Sequence, residues 1–174
     1  MRTVFAASLA ALLPATALAF DVPVLHLDAE LGYACYADDQ RIHGGASGLD
    51  AGYAFDASWV IHAGYVWGEH RLRGQSFRAH QLLAGVRYQL DVFEYVPWIE
   101  VSPALISTSG SGGPGGVTAG AAIGLGFDRL LTDTWSVGFG VRYYQLAGDD
   151  RFPAYLTASA RLGYRWVLGD PLAP

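Results

Sequence analysis

Residues 155–166 read Y-L-T-A-S-A-R-L-G-Y-R-W and carry the clearest structural pattern in the chain. Apolar side chains occupy every second position from Leu156 to Trp166, and the positions between them are polar or glycine. Side chains of a β-strand alternate between the two faces of the sheet, so this stretch predicts a strand with one apolar and one polar face. It is long enough to cross a bilayer as a tilted strand.

The N-terminal residues have the features of an export signal. Arg2 precedes an apolar run over residues 4–13, and the small-residue exit Ala17-Leu18-Ala19 follows. This pattern predicts a secretory signal peptide over residues 1–19, cleaved after Ala19. The apolar run is too short to favour a membrane anchor.

Composition narrows the class of protein further. All 11 basic residues are arginine, and 16 acidic residues give a net charge of −5, or −6 once Arg2 is removed. This balance argues against nucleic acid as a partner. The one cysteine, Cys35, excludes an internal disulfide. The mature length suits one domain over residues 20–166 with a short tail, 167–174.

The same alternation recurs along the chain, with glycine common on the polar face. Eight segments are predicted as strands: 24–36, 47–56, 59–67, 80–90, 97–105, 117–128, 135–144 and 155–166. Loops are predicted at 38–46, 68–77, 107–116 and 145–154, alternating with short turns near 56–58, 91–95 and 129–134. After an export signal, this layout predicts an all-β fold, an eight-stranded antiparallel up-and-down transmembrane β-barrel.

Aromatic residues gather near the ends of these segments, where they would form the interfacial girdles of such a barrel. They are Tyr33, Phe55, Trp59, Trp67, Tyr88, Trp135, Tyr143, Tyr164 and Trp166. A soluble sandwich, or a soluble lipocalin-type barrel, would instead turn the apolar side chains inward.

The chain resembles small outer-membrane barrels of the OmpA/OmpX type. The resemblance rests on Gly124-x-Gly126-x-Asp128, on Trp135-Ser136, and on the terminal Leu162-x-Tyr164-x-Trp166. It implies location in the outer membrane, and a terminal strand whose Leu162, Tyr164 and Trp166 are read by the barrel-assembly machinery. The tail after Trp166 departs from that pattern.

Charged side chains on the predicted inner face carry both signs. Arg87 falls roughly opposite Glu100, and Arg161 falls near Asp28 and Glu30 on the first strand. Because buried charges must pair, these residues predict an ion-pair network that plugs the lumen. Its predicted members are Asp28, Glu30, Asp50, His62, Arg87, Glu100, Arg142 and Arg161.

The sequence favours a non-enzymatic barrel with a structural or surface-interaction role, and two alternatives stay open. One is a narrow porin-like channel for small ions or solutes. The other is a lipid-modifying enzyme, although no local serine–histidine spacing indicates a catalytic site. His43 and His70, predicted in different loops, lack the close ligand spacing of a metal site, and no cofactor is expected.

The expected partners are the lipids around the barrel. Arg71, Arg73 and Arg78 surround the predicted loop 68–77, where guanidinium groups would suit the phosphates of lipopolysaccharide. A solvated loop is the alternative for the same residues. We expect a monomer.

Overall fold

A computed structural model describes residues 23–36, 42–72, 74–90, 94–111, 115–147 and 154–168. The predicted signal peptide, Arg73 and the tail beyond Leu168 lie outside the described residues. Within this part of the chain, no helix is long and apolar enough to cross a membrane.

The described residues form eight antiparallel strands that close into one barrel. Each strand pairs with its neighbours in sequence, and the first strand also pairs with the last. The strands are β1 Val24–Tyr36, β2 His43–Ala54, β3 Trp59–Leu72, β4 Gln75–Gln89, β5 Tyr95–Ser109, β6 Gly116–Leu130, β7 Trp135–Leu146 and β8 Ala154–Val167. The predicted eight-stranded up-and-down barrel is confirmed.

The apolar face of each strand points outward. Leu31 is 73% exposed and Leu125 60%, whereas Asp50, Arg87 and Glu100 are buried in the lumen. This orientation is the reverse of a soluble barrel, and it is the one that suits a wall in contact with acyl chains.

The barrel has two ends, which we call the turn rim and the loop rim. The turn rim carries residues 55–58, 90, 94 and 131–134 together with the start of β1 and the end of β8, and the loop rim is the opposite end, where β1, β3, β5 and β7 finish. Side chains fix two of its turns: Asp56 Oδ1 accepts hydrogen bonds from the backbone N–H groups of Ser58 and Trp59, both at 2.7 Å. Thr132 Oγ1 accepts similarly from Trp135 N at 2.9 Å. Such local bonds define the turn.

Aromatic side chains form two girdles on the outer wall. Trp59 and Trp67 lie on the outer face of β3, eight residues apart. At roughly 3.3 Å per residue and about 40° of tilt, that separation corresponds to about 20 Å along the barrel axis. The distance is close to the apolar band of an outer-membrane barrel, about 25 Å.

The prediction of a charged loop at 68–77 is wrong. β3 and β4 pair as far as Leu72 opposite Gln75, so only positions 73 and 74 separate the two strands. Gly74 has φ of +82°, the left-handed conformation that tight hairpin turns require. His70 therefore lies in the lumen, not in a loop.

Two other strands also extend further toward the loop rim than predicted. β2 begins at His43 instead of position 47, and β5 continues to Ser109 instead of ending at 105. Near this rim the outer face of the strand becomes polar: Ser107 and Ser109 face outward, while Ile106 and Thr108 face inward. Because the outer faces of these strand ends are polar, their sequences resemble those of loops.

Candidate functional site

A buried cluster of charged side chains fills the lumen, and we call it the ionic layer. Every strand contributes to it: β1 supplies two carboxylates, and β2 to β8 supply one ionisable group each. Its members are Asp28, Glu30, Asp50, His62, Arg87, Glu100, Asp128, Arg142 and Arg161. All eight side chains predicted for a lumen network lie in this layer.

Three arginines connect the layer across the barrel. Arg87 Nη2 donates to Asp50 and to Glu100, both at 2.9 Å, and its Nη1 lies 3.6 Å from Asp28. Arg142 Nη2 donates to Glu30 at 2.9 Å, and its Nε donates to Glu100. Guanidinium groups suit this arrangement because each can donate several hydrogen bonds in fixed directions.

The third arginine, Arg161, closes the seam between the last and the first strand. It donates to Asp28, and its Nε lies 3.4 Å from Glu30. Its Nη1 also lies 3.5 Å from Asp128 on β6. Asp128 was not among the predicted network residues, although it has the same parity as Gly124 and Gly126 on the inner face of β6.

Trp98 lies between two of these arginines. The guanidinium carbons of Arg87 and Arg161 lie 4.8 Å and 4.6 Å from the indole ring centroid. Glycine makes room for this ring, since a Cβ at Gly126 would lie 2.5 Å from it and one at Gly140 would lie 2.9 Å away. Cation–π contacts of this kind are strongest away from water.

His62 joins β3 to the carboxylates on either side. Its Nδ1 lies 2.9 Å from Asp50 Oδ2, and its Nε2 lies 3.1 Å from Ser102 Oγ and 3.7 Å from Glu100 Oε2. Both ring nitrogens therefore have polar partners. The described part of the layer holds five carboxylates against three guanidiniums, so its acidic groups outnumber its arginines.

A second layer of buried side chains lies in the lumen nearer the loop rim, and we call it the aromatic layer. It consists of Tyr36, His70, Phe77, Tyr144 and Tyr155, all buried. Edge contacts join Tyr36 to Tyr155 at a centroid distance of 4.7 Å, and His70 stacks on Phe77 at 5.1 Å. His70 Nε2 and the Tyr155 hydroxyl form a hydrogen bond of 2.9 Å. The aromatic layer was not predicted, because two of its members fall in the segment interpreted as a loop.

The two described arginines of the predicted lipid contact lie on the outer wall near the loop rim. Arg71 is on β3 and Arg78 on β4, and both are exposed. Arg78 Nε lies 3.5 Å from Glu69 Oε1, and its guanidinium lies 5.9 Å from the Trp67 ring centroid. They border a cleft of about 760 Å³ whose floor includes Gly45 and Ser47.

The predicted assembly residues share the outer face of β8 near the turn rim. Leu162 and Trp166 are exposed there, and Tyr164 packs against Trp166 at a centroid distance of 4.4 Å. Tyr164 also contacts Trp135 on β7 at 4.8 Å. Among the described residues, no group of three or more histidine, cysteine, aspartate or glutamate side chains is placed to hold a metal ion.

Comparison with known proteins identifies the fold. No family model matches the chain, and no curated protein is significantly similar in sequence. Among solved structures, Neisserial surface protein A matches with a TM-score of 0.63 and 16% identity, over 85% of this chain and 98% of that one. The attachment invasion locus protein Ail of Yersinia pestis matches with a TM-score of 0.63 and 13% identity, over 83% and 99%.

A third similar structure is an enzyme. The outer membrane enzyme PagL matches with a TM-score of 0.54 and 16% identity, over 82% of this chain and 99% of that one. At these identities the likeness shows the fold alone. The chain has the fold of small eight-stranded outer-membrane barrels, a fold shared by enzymes and by surface proteins.

Proposed function

We propose that this chain is a non-enzymatic outer-membrane barrel with a closed lumen and a structural or surface-interaction role. Its signal peptide directs export and is cleaved after Ala19, its terminal strand is recognised by the barrel-assembly machinery, and it works as a monomer. Its outward apolar wall and its likeness to outer-membrane barrels support this location.

The salt-bridge network across the lumen is the observation that carries the proposal. Arg142 bridges Glu30 on β1 and Glu100 on β5, so a salt bridge runs across the width of the barrel. Eight strands enclose a space that side chains can fill. Separating a buried charge from its partner strongly destabilises the folded protein. The side chains of the layer therefore stay paired and form a fixed plug instead of a set of mobile gates.

Single-channel recording tests this proposal against the porin-like alternative. The refolded full chain is inserted into planar lipid bilayers, and we expect no steady conductance above that of the lipid membrane alone. Glu100→Gln serves as the paired variant, because it changes the charge of the lumen with little change in shape. A steady current in the parent protein, with an ion selectivity that this variant alters, would favour the channel.

Lipid analysis tests the enzymatic alternative, which the fold shared with PagL keeps in view. On the outer wall His80 Nδ1 lies 2.6 Å from the Tyr65 hydroxyl, and His80 pairs in register with Ser107. We expect cells that produce the protein to have the same lipid A acylation as cells that do not. A change that His80→Ala or Ser107→Ala abolishes would contradict the non-enzymatic role.

A further inference from the structure

The polar side chains of the outer wall are concentrated on one side of the barrel. Between the Trp67 level and the loop rim, strands β2 to β5 present His43, Ser47, Glu69, Arg71, Ser76, Arg78, Ser107 and Ser109 outward. All of these residues except Ser107 line the 760 Å³ cleft described above. It lies just above the aromatic girdle, at the height where lipid headgroups meet the protein.

The charge of the cleft is positive. Arg71 forms no ion pair with any described residue, and Arg78 pairs with one carboxylate, that of Glu69. The two arginines therefore face one acidic side chain. Both arginines are exposed and come from neighbouring strands, with Arg71 opposite Ser76, two positions from Arg78. Two guanidinium groups at this spacing favour an anion with several oxygens, because each can donate two parallel hydrogen bonds.

The space in the cleft comes from small residues on β2. A Cβ at Gly45 would meet only the Gly32 carbonyl oxygen, 4.0 Å away, so the surface there is open. Leu31 on β1 and Trp67 on β3 border this opening. The cleft can therefore hold a bulky headgroup instead of a single ion.

An apolar groove continues from the cleft toward the middle of the membrane. Its volume is about 670 Å³. On each of β2, β3 and β4, the first residue of the groove lies two to four positions along the strand from the last residue of the cleft. Its floor is formed by Ala51, Ala63 and Ala84, which lie opposite one another in register, and Leu49, Tyr65 and Leu82 form its upper side. Strands about 4.8 Å apart make this floor roughly 10 Å wide.

We propose that the wall of β2 to β5 binds a phosphorylated glycolipid, with its phosphate and sugar in the cleft and an acyl chain in the groove. The proposal rests on the outer-membrane location given under the proposed function. With the start of β1 and the end of β8 at the turn rim, an outer-membrane barrel places the loop rim outside the cell, so the cleft faces the outer leaflet. A cationic mouth above an apolar groove matches an anionic amphiphile in charge and in shape.

Native mass spectrometry of the full-length protein in detergent gives the direct test. The probes are bis-phosphorylated lipid A, the same lipid A without its phosphates, and phosphatidylglycerol. We expect Arg71→Gln/Arg78→Gln to weaken binding of the phosphorylated lipid about tenfold or more, since charge-assisted hydrogen bonds are lost. Removal of the phosphates should weaken binding to the parent protein to a similar degree.

Arg129→Gln is the matched control, because Arg129 also pairs with one glutamate, Glu94 at 3.4 Å, and also stacks on a ring, Tyr95 at 5.6 Å. It lies at the turn rim, and we expect it to leave affinity unchanged. Ala63→Leu, which fills the groove, should weaken binding several-fold, and Ala160→Leu on the exposed face of β8 should not.

The outcomes separate the two proposals. Equal loss in Arg129→Gln, no loss in the double variant, or equal binding of phosphatidylglycerol would overturn the glycolipid site. Outer-membrane fractionation and the gel shift of the unboiled barrel report location and folding without any lipid probe. If Arg71→Gln/Arg78→Gln folds and fractionates normally but binds lipid A as the parent does, the lipid site is wrong and the proposed function is unaffected.

Discussion

At the scale of single residues, the most consequential side chain is Arg142. It is buried, and it holds Glu30 on β1 and Glu100 on β5 at once. Neither carboxylate can recover its lost hydration from the lumen, because both are buried as well. Glu30 keeps Arg161 as a second partner and Glu100 keeps Arg87, so the remaining network limits but does not remove the damage.

We therefore expect Arg142→Ala to lower the free energy of unfolding by about 3–5 kcal/mol, the usual effect of removing one partner from a buried ion pair. Urea titration of the barrel in lipid vesicles, followed by tryptophan fluorescence, measures it. Arg129→Ala is the control, because its pair with Glu94 is half exposed and such pairs contribute about 0–1 kcal/mol. Equal stability of the two variants would mean that the layer does not hold the barrel together.

At the scale of the strand, β6 shows how glycine on one face determines what the neighbouring strands can carry. Gly124 leaves space for the Glu100 carboxylate, since a Cβ there would lie 2.7 Å from it. Gly126 does the same for the Trp98 ring. Glu100 and Trp98 of β5 therefore fit into the lumen because β6 has glycine directly opposite each of them, Gly124 and Gly126.

Gly126→Ala should destabilise the barrel by about 1–3 kcal/mol, because the added methyl group would clash with the Phe139 carbonyl oxygen and lie 2.5 Å from the buried indole ring of Trp98. Gly45→Ala is the same substitution on the open outer face of β2, where we expect little change or a slight gain. Urea unfolding of both variants under identical conditions provides the comparison. A stable Gly126→Ala protein would show that Trp98 and the β7 backbone can move without loss.

Strand positions could be predicted from the sequence where the membrane imposes a consistent contrast, as in residues 155–166. Above the aromatic girdle water replaces lipid, and the pattern reverses. His70 and Phe77 turn inward while Arg71 and Arg78 turn outward, so a continuous hairpin has the composition of a loop. The ionic residues could be predicted because parity alone places them inside. Their partners across the lumen, such as Glu30 for Arg142, depend on barrel closure, which no local pattern records.

At the scale of the whole molecule, two layers of different chemistry lie in series along the lumen. In the proposed closed barrel, the ionic layer blocks passage with fixed charge pairs, and the aromatic layer blocks it with ring contacts such as that of Tyr36 with Tyr155. Layers in series impede flow independently. Opening one of them is therefore insufficient to make a pore.

We expect Glu100→Ala/Arg142→Ala to stay non-conducting in planar bilayers, since the aromatic layer remains. Phe77→Ala/Tyr155→Ala should likewise stay closed, whereas the quadruple variant should conduct. Gel mobility without boiling checks that each variant folds. Conductance in the Glu100→Ala/Arg142→Ala protein would show that the rings of the second layer do not seal the lumen.

The distribution of lumen charges along the chain has a consequence for biogenesis. The first hairpin, β1 and β2, brings only carboxylates into the ionic layer: Asp28, Glu30 and Asp50. The last hairpin, β7 and β8, brings only guanidiniums: Arg142 and Arg161. Within the ionic layer the chain is thus acidic in its first hairpin and basic in its last, and Arg142 and Arg161 meet their carboxylate partners on β1 only when the barrel closes. Opposite charges on the first and last hairpins favour the pairing of β8 with β1, and a sheet left open would expose charges that are costly to place in hydrocarbon.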